Sequence, residues 1–223
     1  MTFKRLLLNL RDFPKSLFIN LRLFPVNIAL KFPIWAKYDT KIIGKLKRDM
    51  VILESPIYSK MVTLGIYGSP GISNGRKTVL KISRNGKIIF KGKAQICEGC
   101  LLRVDNGKVL FGDEFSINSN SIIWANKSIV FGKGVVIGYD TYIRDSDGHF
   151  LIVDGVRKEN TASIIVQDHV WIGAFAKIGK GSSIGNNAVV AMNSVVTGIV
   201  PQNSIVGGIP AKVIREGTNW SID

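Results

Sequence analysis

The 223-residue chain has only two imidazoles, and each follows a carboxylate, in Asp145-Ser146-Asp147-Gly148-His149 and in Asp168-His169. A neutral imidazole is available near pH 7 to take a proton from an attacking group, and a nearby carboxylate can orient the ring and stabilise the imidazolium that forms. Asp145 and Asp147 together also suggest a divalent cation, but two carboxylates on one loop are too few to specify one. Cys97 and Cys100 form a CxxC without a second Cys or His pair, so neither a zinc site nor a disulfide framework follows. They are read as small apolar residues in a turn, and no metal is expected.

The elements that must position these groups are written in sixes. Val166, Ile172, Ile178, Ile184, Val190 and Val196 recur at a strict spacing of six. Gly often follows the apolar residue (Gly112, Gly132, Gly138, Gly173, Gly179, Gly185), and a small or β-branched residue is fifth. Six is a multiple of the strand period, so each hexad can hold a short strand followed by a bend, with Gly expected to relieve backbone strain there. Three bends close a coil of about 18 residues, and stacked coils place each apolar residue over its counterpart as a core ladder.

The spacing extends upstream in two sets, Phe111, Ile117, Ile123 and Phe131, Ile137, Ile143, with two extra residues between them. Between Ile143 and Val166 it fails. A loop is therefore expected at 144–163, and it carries His149; His169 falls at a hexad turn.

The net charge is +14, but residues 1–93 hold 19 Lys and Arg against 4 Asp and Glu, whereas the remainder is nearly neutral. Electrostatic partners should therefore be sought at the N-terminal part. Residues 1–34 read as a basic amphipathic helical segment. Phe3, Leu6, Leu7, Leu10, Leu17, Phe18, Leu21 and Phe24 lie at helical spacing, and Asp12-Phe13-Pro14 is expected to end one short helix and start another. Lys4, Arg5, Arg11, Lys15 and Arg22 lie between them. The segment either rests peripherally on an anionic membrane or packs on its own domain or a neighbouring subunit.

Residues 35–100 read as irregular strands leading into the coils, with Asn85-Gly86 and Asn106-Gly107 as tight turns and further punctuation at Pro70, Gly71 and Asn74. Coils are expected over 101–216 and a tail over 217–223. No signal peptide or long apolar run is evident, so a cytoplasmic protein, possibly peripheral at the inner face of the membrane, is expected. No arginine-rich stripe interleaved with aromatics marks a nucleic-acid module.

The pattern [Ile/Val]-Gly-x-x-[small]-x, Asp168-His169-Val170-Trp171-Ile172-Gly173 and the ending Pro210-Ala211-Lys212-Val213-Ile214-Arg215 resemble the hexapeptide-repeat acyltransferases, over about residues 100–216. Within that family the ending is similar to that of the sugar and polysaccharide O-acetyltransferases. The resemblance, and not the spacing, implies an all-β fold built as a left-handed parallel β-helix, although general sheet rules favour the opposite crossover. It implies acetyl-CoA as co-substrate, a sugar or polysaccharide acceptor and a homotrimer with sites between subunits.

The string at 145–149 resembles the Asp-x-Asp-x-His of polysaccharide-modifying members, which makes His149 the expected general base, with Asp147 or Asp145 orienting it; His169 is the alternative. The resemblance puts Trp171, Gly173, Ala174, Met192 and Thr197 on coenzyme A, with Lys212 and Arg215 toward its phosphates. Met192 and Gly198 depart from the family's usual small residue and Lys. Asn118, Trp124 and Asn126 would face the acceptor; Asn is also a common turn residue, and covering a coil edge is the other reading of Trp124. Competing readings are N-acetylation of an amino sugar and a non-catalytic β-helical scaffold. A carbonic anhydrase on such coils needs three His ligands, and the chain has two.

Overall fold

A computed structural model describes residues 3–221 apart from 55, 69–71, 73–74 and 84; Pro70, Gly71 and Asn74 lie outside the described residues, as do the side chains of Phe3, Lys4 and Arg5. Short parallel strands form the three faces of one coiled column, in sheets of nine, seven and seven strands. The first face holds Ile34–Ala36, Val62–Leu64, Ala94–Ile96, Phe115–Ile117, Val136–Ile137, Trp171–Ile172, Val189–Val190 and Ser204–Gly208. The chain then visits the second and third faces before returning to the first, so three corners separate them.

The hexads stack as their period requires. Ile172 pairs with Val190, Ile178 with Val196, and Val166 with Ile184, and every one of these side chains is buried. The two upstream sets enter the same ladders: Phe111 pairs with Phe131 and Phe131 with Val166. The wider upstream coils are filled by larger side chains. Phe90, Phe111 and Phe131 stack with centroids 5.0 and 5.5 Å apart, and the column becomes Val166, Ile184 and Val200 where the coils narrow. Volume at the ladder position follows coil circumference because interiors tolerate few voids.

The N-terminal strands and the Asn-Gly turns extend the same column. The strands of 34–100 are regular coils in the same three sheets, with register unbroken from Ile34↔Val62 to Val62↔Ala94. Their hexads are masked by longer corners, so the sixfold count misses them. Asn85-Gly86 and Asn106-Gly107 are turns as expected, each joining the second face to the third.

The hexad glycines also have another cause than expected. None of Gly112, Gly132, Gly138, Gly173, Gly179 and Gly185 has a positive φ. A Cβ on Gly112, Gly138 or Gly173 would come within 2.2, 2.5 and 2.7 Å of the next coil's backbone, so close coil contact selects glycine. The left-handed conformation falls two residues later, at His169, Phe175, Gly181, Asn187 and Asn193.

The N-terminal segment is one helix, α1 (Phe3–Leu23), which runs through Pro14, followed after Pro25 by the short α2 (Val26–Ala29). The expected break at Pro14 is absent because side chains on both sides of it anchor α1 to β1 (Ile34–Ala36), the free edge of the first face. The Tyr38 N–H donates to Asp12 Oδ1 (3.0 Å), the Ala36 N–H to Ser16 Oγ (3.0 Å) and the Ile34 N–H to Asn20 Oδ1 (3.1 Å), while Asn20 Nδ2 donates to the Ile34 carbonyl (2.6 Å). Four helical residues rise about 6 Å and two strand residues about 6.6 Å, so polar groups at every fourth helix position meet alternate strand residues. This polar row supplies the hydrogen bonds a preceding strand would have made.

Candidate active site

The break in the sixfold register is a loop leaving the corner between the second and third faces. It follows the strand Tyr142–Arg144, carries an exposed antiparallel hairpin of Ile152–Val153 with Val156–Arg157, and rejoins at Ile164–Val166. His149 lies on it, exposed, with no hydrogen-bond partner among the described residues. Lys180 from the next coil pins the loop, donating to the Glu159 carbonyl (2.7 Å) and pairing with Asp147 Oδ2 (2.6 Å). The Gly181 N–H adds a bond to the Ala162 carbonyl.

The two aspartates differ sharply. Asp147 is on the loop surface with its carboxylate on Lys180, not on His149. Asp145 is fully buried and accepts the backbone N–H groups of Asn126 (2.7 Å), Lys127 (2.8 Å) and Ser128 (2.7 Å). Both its oxygens are engaged in holding that corner, so Asp145 builds the floor of the loop and does not orient His149. Two buried polar atoms beside this floor, Asn126 Oδ1 and Arg144 Nε, have no hydrogen-bond partner among the described residues. The Arg144 guanidinium reaches Gly148, within 2.9 Å of where a Cβ would stand there, next to His149.

Trp124 is not free to stack on a ligand. On the outer second face its ring is sandwiched between the guanidinium groups of Arg103 (3.8 Å) and Arg144 (4.0 Å), and its indole N–H donates to Asp105 (3.1 Å). Its contribution is to hold Arg144 in place.

His169 is engaged. It occupies the corner between the third and first faces, with Nδ1 3.1 Å from Asn187 Oδ1 and its ring stacked on Trp220 at 4.4 Å and 5°. The Trp220 indole N–H donates to its carbonyl (2.8 Å). An imidazole at a left-handed turn position under an indole is a coil residue covered by the C-terminal segment.

Four further candidates lie at the corner between the first and second faces. Asn118, Gly173, Ala174 and Met192 are all there, one coil above another. The Gly173 N–H is bound to the Val190 carbonyl (2.8 Å) and is unavailable to a ligand. Ala174 and Met192 leave their N–H groups without partners among the described residues, and the Met192 side chain is exposed. Phe175, in the left-handed region that a bulky residue seldom adopts, lies beside Ala174 with its ring edge-on to Tyr139 at 5.2 Å. Sequence reasoning passed over Phe175, Tyr139, Lys180 and Arg144; only Arg144, just before the register break, carried a positional signal. Thr197 belongs to the corner of His149. Trp171 points outward on the first face, and Lys212 and Arg215 are exposed on Ala211–Glu216, which folds back antiparallel on that sheet's last coil.

One corner thus offers an unengaged imidazole, and another offers two free N–H groups among exposed apolar side chains. A hexapeptide profile, "Bacterial transferase hexapeptide (six repeats)", matches residues 163–198. The chain is 30% identical over 148 residues to the "Putative lipopolysaccharide biosynthesis O-acetyl transferase WbbJ" of Escherichia coli K12, covering 60% of this chain and 74% of that relative. The chain belongs to the hexapeptide-repeat acetyltransferases.

A second relative of this hexapeptide-repeat acetyltransferase is the galactoside O-acetyltransferase of Escherichia coli K12, 32% identical over 108 residues, 47% of this chain and about half (52%) of that one. Among solved structures, the polysialic-acid-specific acetyltransferase NeuO superposes with a TM-score of 0.64 at 22% identity, covering 84% of this chain and 75% of that one, and shares the fold. Among the described residues no cluster of His, Cys, Asp and Glu is arranged to hold a metal.

Proposed function

We propose that the protein transfers an acetyl group from acetyl-CoA to a hydroxyl of a sugar in a cell-surface polysaccharide or its precursor, with His149 as the general base. The observation that carries this reading is the contrast between the two imidazoles: His149 is exposed and unpartnered where the coil opens, whereas His169 is engaged by Asn187 and Trp220. His149 takes the hydroxyl proton as the oxygen attacks the thioester carbonyl; the tetrahedral intermediate then breaks its C–S bond, and the coenzyme A thiolate leaves and takes that proton from the imidazolium. Asp147, two residues before His149 on the same loop, would orient the ring once its pair with Lys180 opens. Asn126, on the same corner as His149, and Arg144 before the loop are the acceptor-side residues of this reading.

Acetyl-CoA fits the corner of Ala174 and Met192. The two free N–H groups would bind the amide carbonyls of the pantetheine arm, and exposed Met192 and Phe175 offer apolar surface to it. Lys212 and Arg215 supply cations for phosphate. The base and this surface are on different corners of one chain. A homotrimer of left-handed coils, in which one subunit's loop faces its neighbour's Ala174 corner, joins them into a single site. The reading makes the protein cytoplasmic, where acetyl-CoA is available.

Thiol release from acetyl-CoA with a panel of glycan and amino-sugar acceptors tests it. His149→Ala should lower turnover by roughly 10²- to 10⁴-fold while acetyl-CoA binding by calorimetry persists. Undiminished turnover would remove His149 as base, and turnover confined to amino-sugar acceptors would replace O- by N-acetylation.

A further inference from the structure

We propose that the outward face of α1 lies flat on an anionic lipid surface, with its apolar side chains in the interface and a basic cleft beside it taking lipid phosphate groups. The inference is independent of the acyl-transfer reading. It starts from the side that α1 turns inward: Asp12, Ser16 and Asn20 are buried on β1 together with Ile19 and Leu23, so the core leaves the remaining apolar residues of the helix outside.

At 100° per residue, the opposite side of α1 presents Leu7, Leu10, Pro14, Phe18 and Leu21. Leu10 is 62% exposed and Leu7 51%, and the apolar surface continues past the helix end through Val26 and Leu30, at 57% and 59%. A continuous apolar surface of this kind marks an interaction site.

Charge decides the occupant. Lys15 and Arg22 fall on one flank of that face, and with Phe18 they line a cleft of about 660 Å³ closed by Ile42, Lys45, Leu46 and Lys47. No acidic residue lines the cleft, and none of these four cations has an ion pair among the described residues. A second copy of the chain docking here would bring two such basic flanks together, within halves that each carry 19 cations against 4 acids. An anionic lipid surface neutralises them, and each Lys or Arg near it raises partitioning about fivefold. Among the described residues no helix is long and apolar enough to cross a membrane, so α1 lies in the interface, about 31 Å along it.

Flotation of the full-length protein with phosphatidylcholine vesicles, with and without phosphatidylglycerol, tests the proposal at low and high salt. The wild type should float with phosphatidylglycerol vesicles at low salt and less at high salt, because surface charge is screened. Leu10→Asp/Leu21→Asp and Lys15→Glu/Arg22→Glu should each cut partitioning by about tenfold or more, with far-UV dichroism, thermal midpoint and oligomeric mass unchanged. No flotation of the wild type at low salt would overturn the proposal, as would flotation insensitive to either variant. A fall in oligomeric mass of Leu10→Asp/Leu21→Asp with flotation intact would assign the face to a second copy of the chain instead.

Discussion

Asp145 shows how much a single side chain's direction decides. It follows Ile143 by two, and along a strand every second residue shares a face, so the alternation that buries Ile143 also turns Asp145 inward. That signal was present in the sequence, but two aspartates beside a histidine read more readily as a catalytic set. Removing a buried carboxylate that accepts three backbone N–H groups leaves them unsatisfied. Asp145→Ala should therefore cost about 3–5 kcal/mol in urea denaturation; lost activity at unchanged stability would return Asp145 to a role in catalysis. Asp147→Ala should leave stability within about 1 kcal/mol, since its partner Lys180 is bridged at the surface. The cysteines are legible and inert: burial pushes the Cys100 thiol up to about 12 and raises Cys97 as well. A thiol-exchange reagent should leave both unmodified in the native protein and label both in denaturant, and rapid native labelling of either would contradict this burial.

α1 and its docking strand belong to the scale of elements. Helical spacing of apolar residues was plain in the sequence, but periodicity does not say which face turns inward. α1 has apolar residues on both sides: Ile19 and Leu23 go into the core, and beside them a polar row at every fourth residue gives the free N–H and C=O groups of β1 the partners they require. Asn20→Ala would leave both the N–H and the C=O of Ile34 unpaired. It should destabilise the protein by about 2–4 kcal/mol and speed amide exchange at Ile34 and Ala36 more than in the coils of Val166 to Val196. Uniform exchange across both regions would show that α1 does not protect the edge. The loop at 144–163 was also readable as a failure of the sixfold count, whereas its clasp by Lys180 was not, because Lys180 is separated from Asp147 by a full coil.

For the whole molecule, the proposed trimer makes a sharp prediction. His149 and the corner of Ala174 and Met192 lie on different edges of one column, so two inactive variants, His149→Ala and Ala174→Trp, should regain part of the wild-type rate when co-expressed. Assemblies with one intact shared site arise in that mixture. Mixtures no more active than either variant alone, with light scattering that reports a monomer, would place the whole reaction within one chain. What could be read directly from the amino-acid order is the repeat, its core ladder and the place where it stops, because a six-residue period acts on neighbours along the chain and needs no other information. Three things arose only on folding: the regular register of the coils in residues 34–100, the outward-facing apolar side of α1, and the division of the candidate residues among three corners. Each depends on contacts between segments a full coil or more apart, where hydrogen bonds to a free edge and close approach of backbones outweigh local preference.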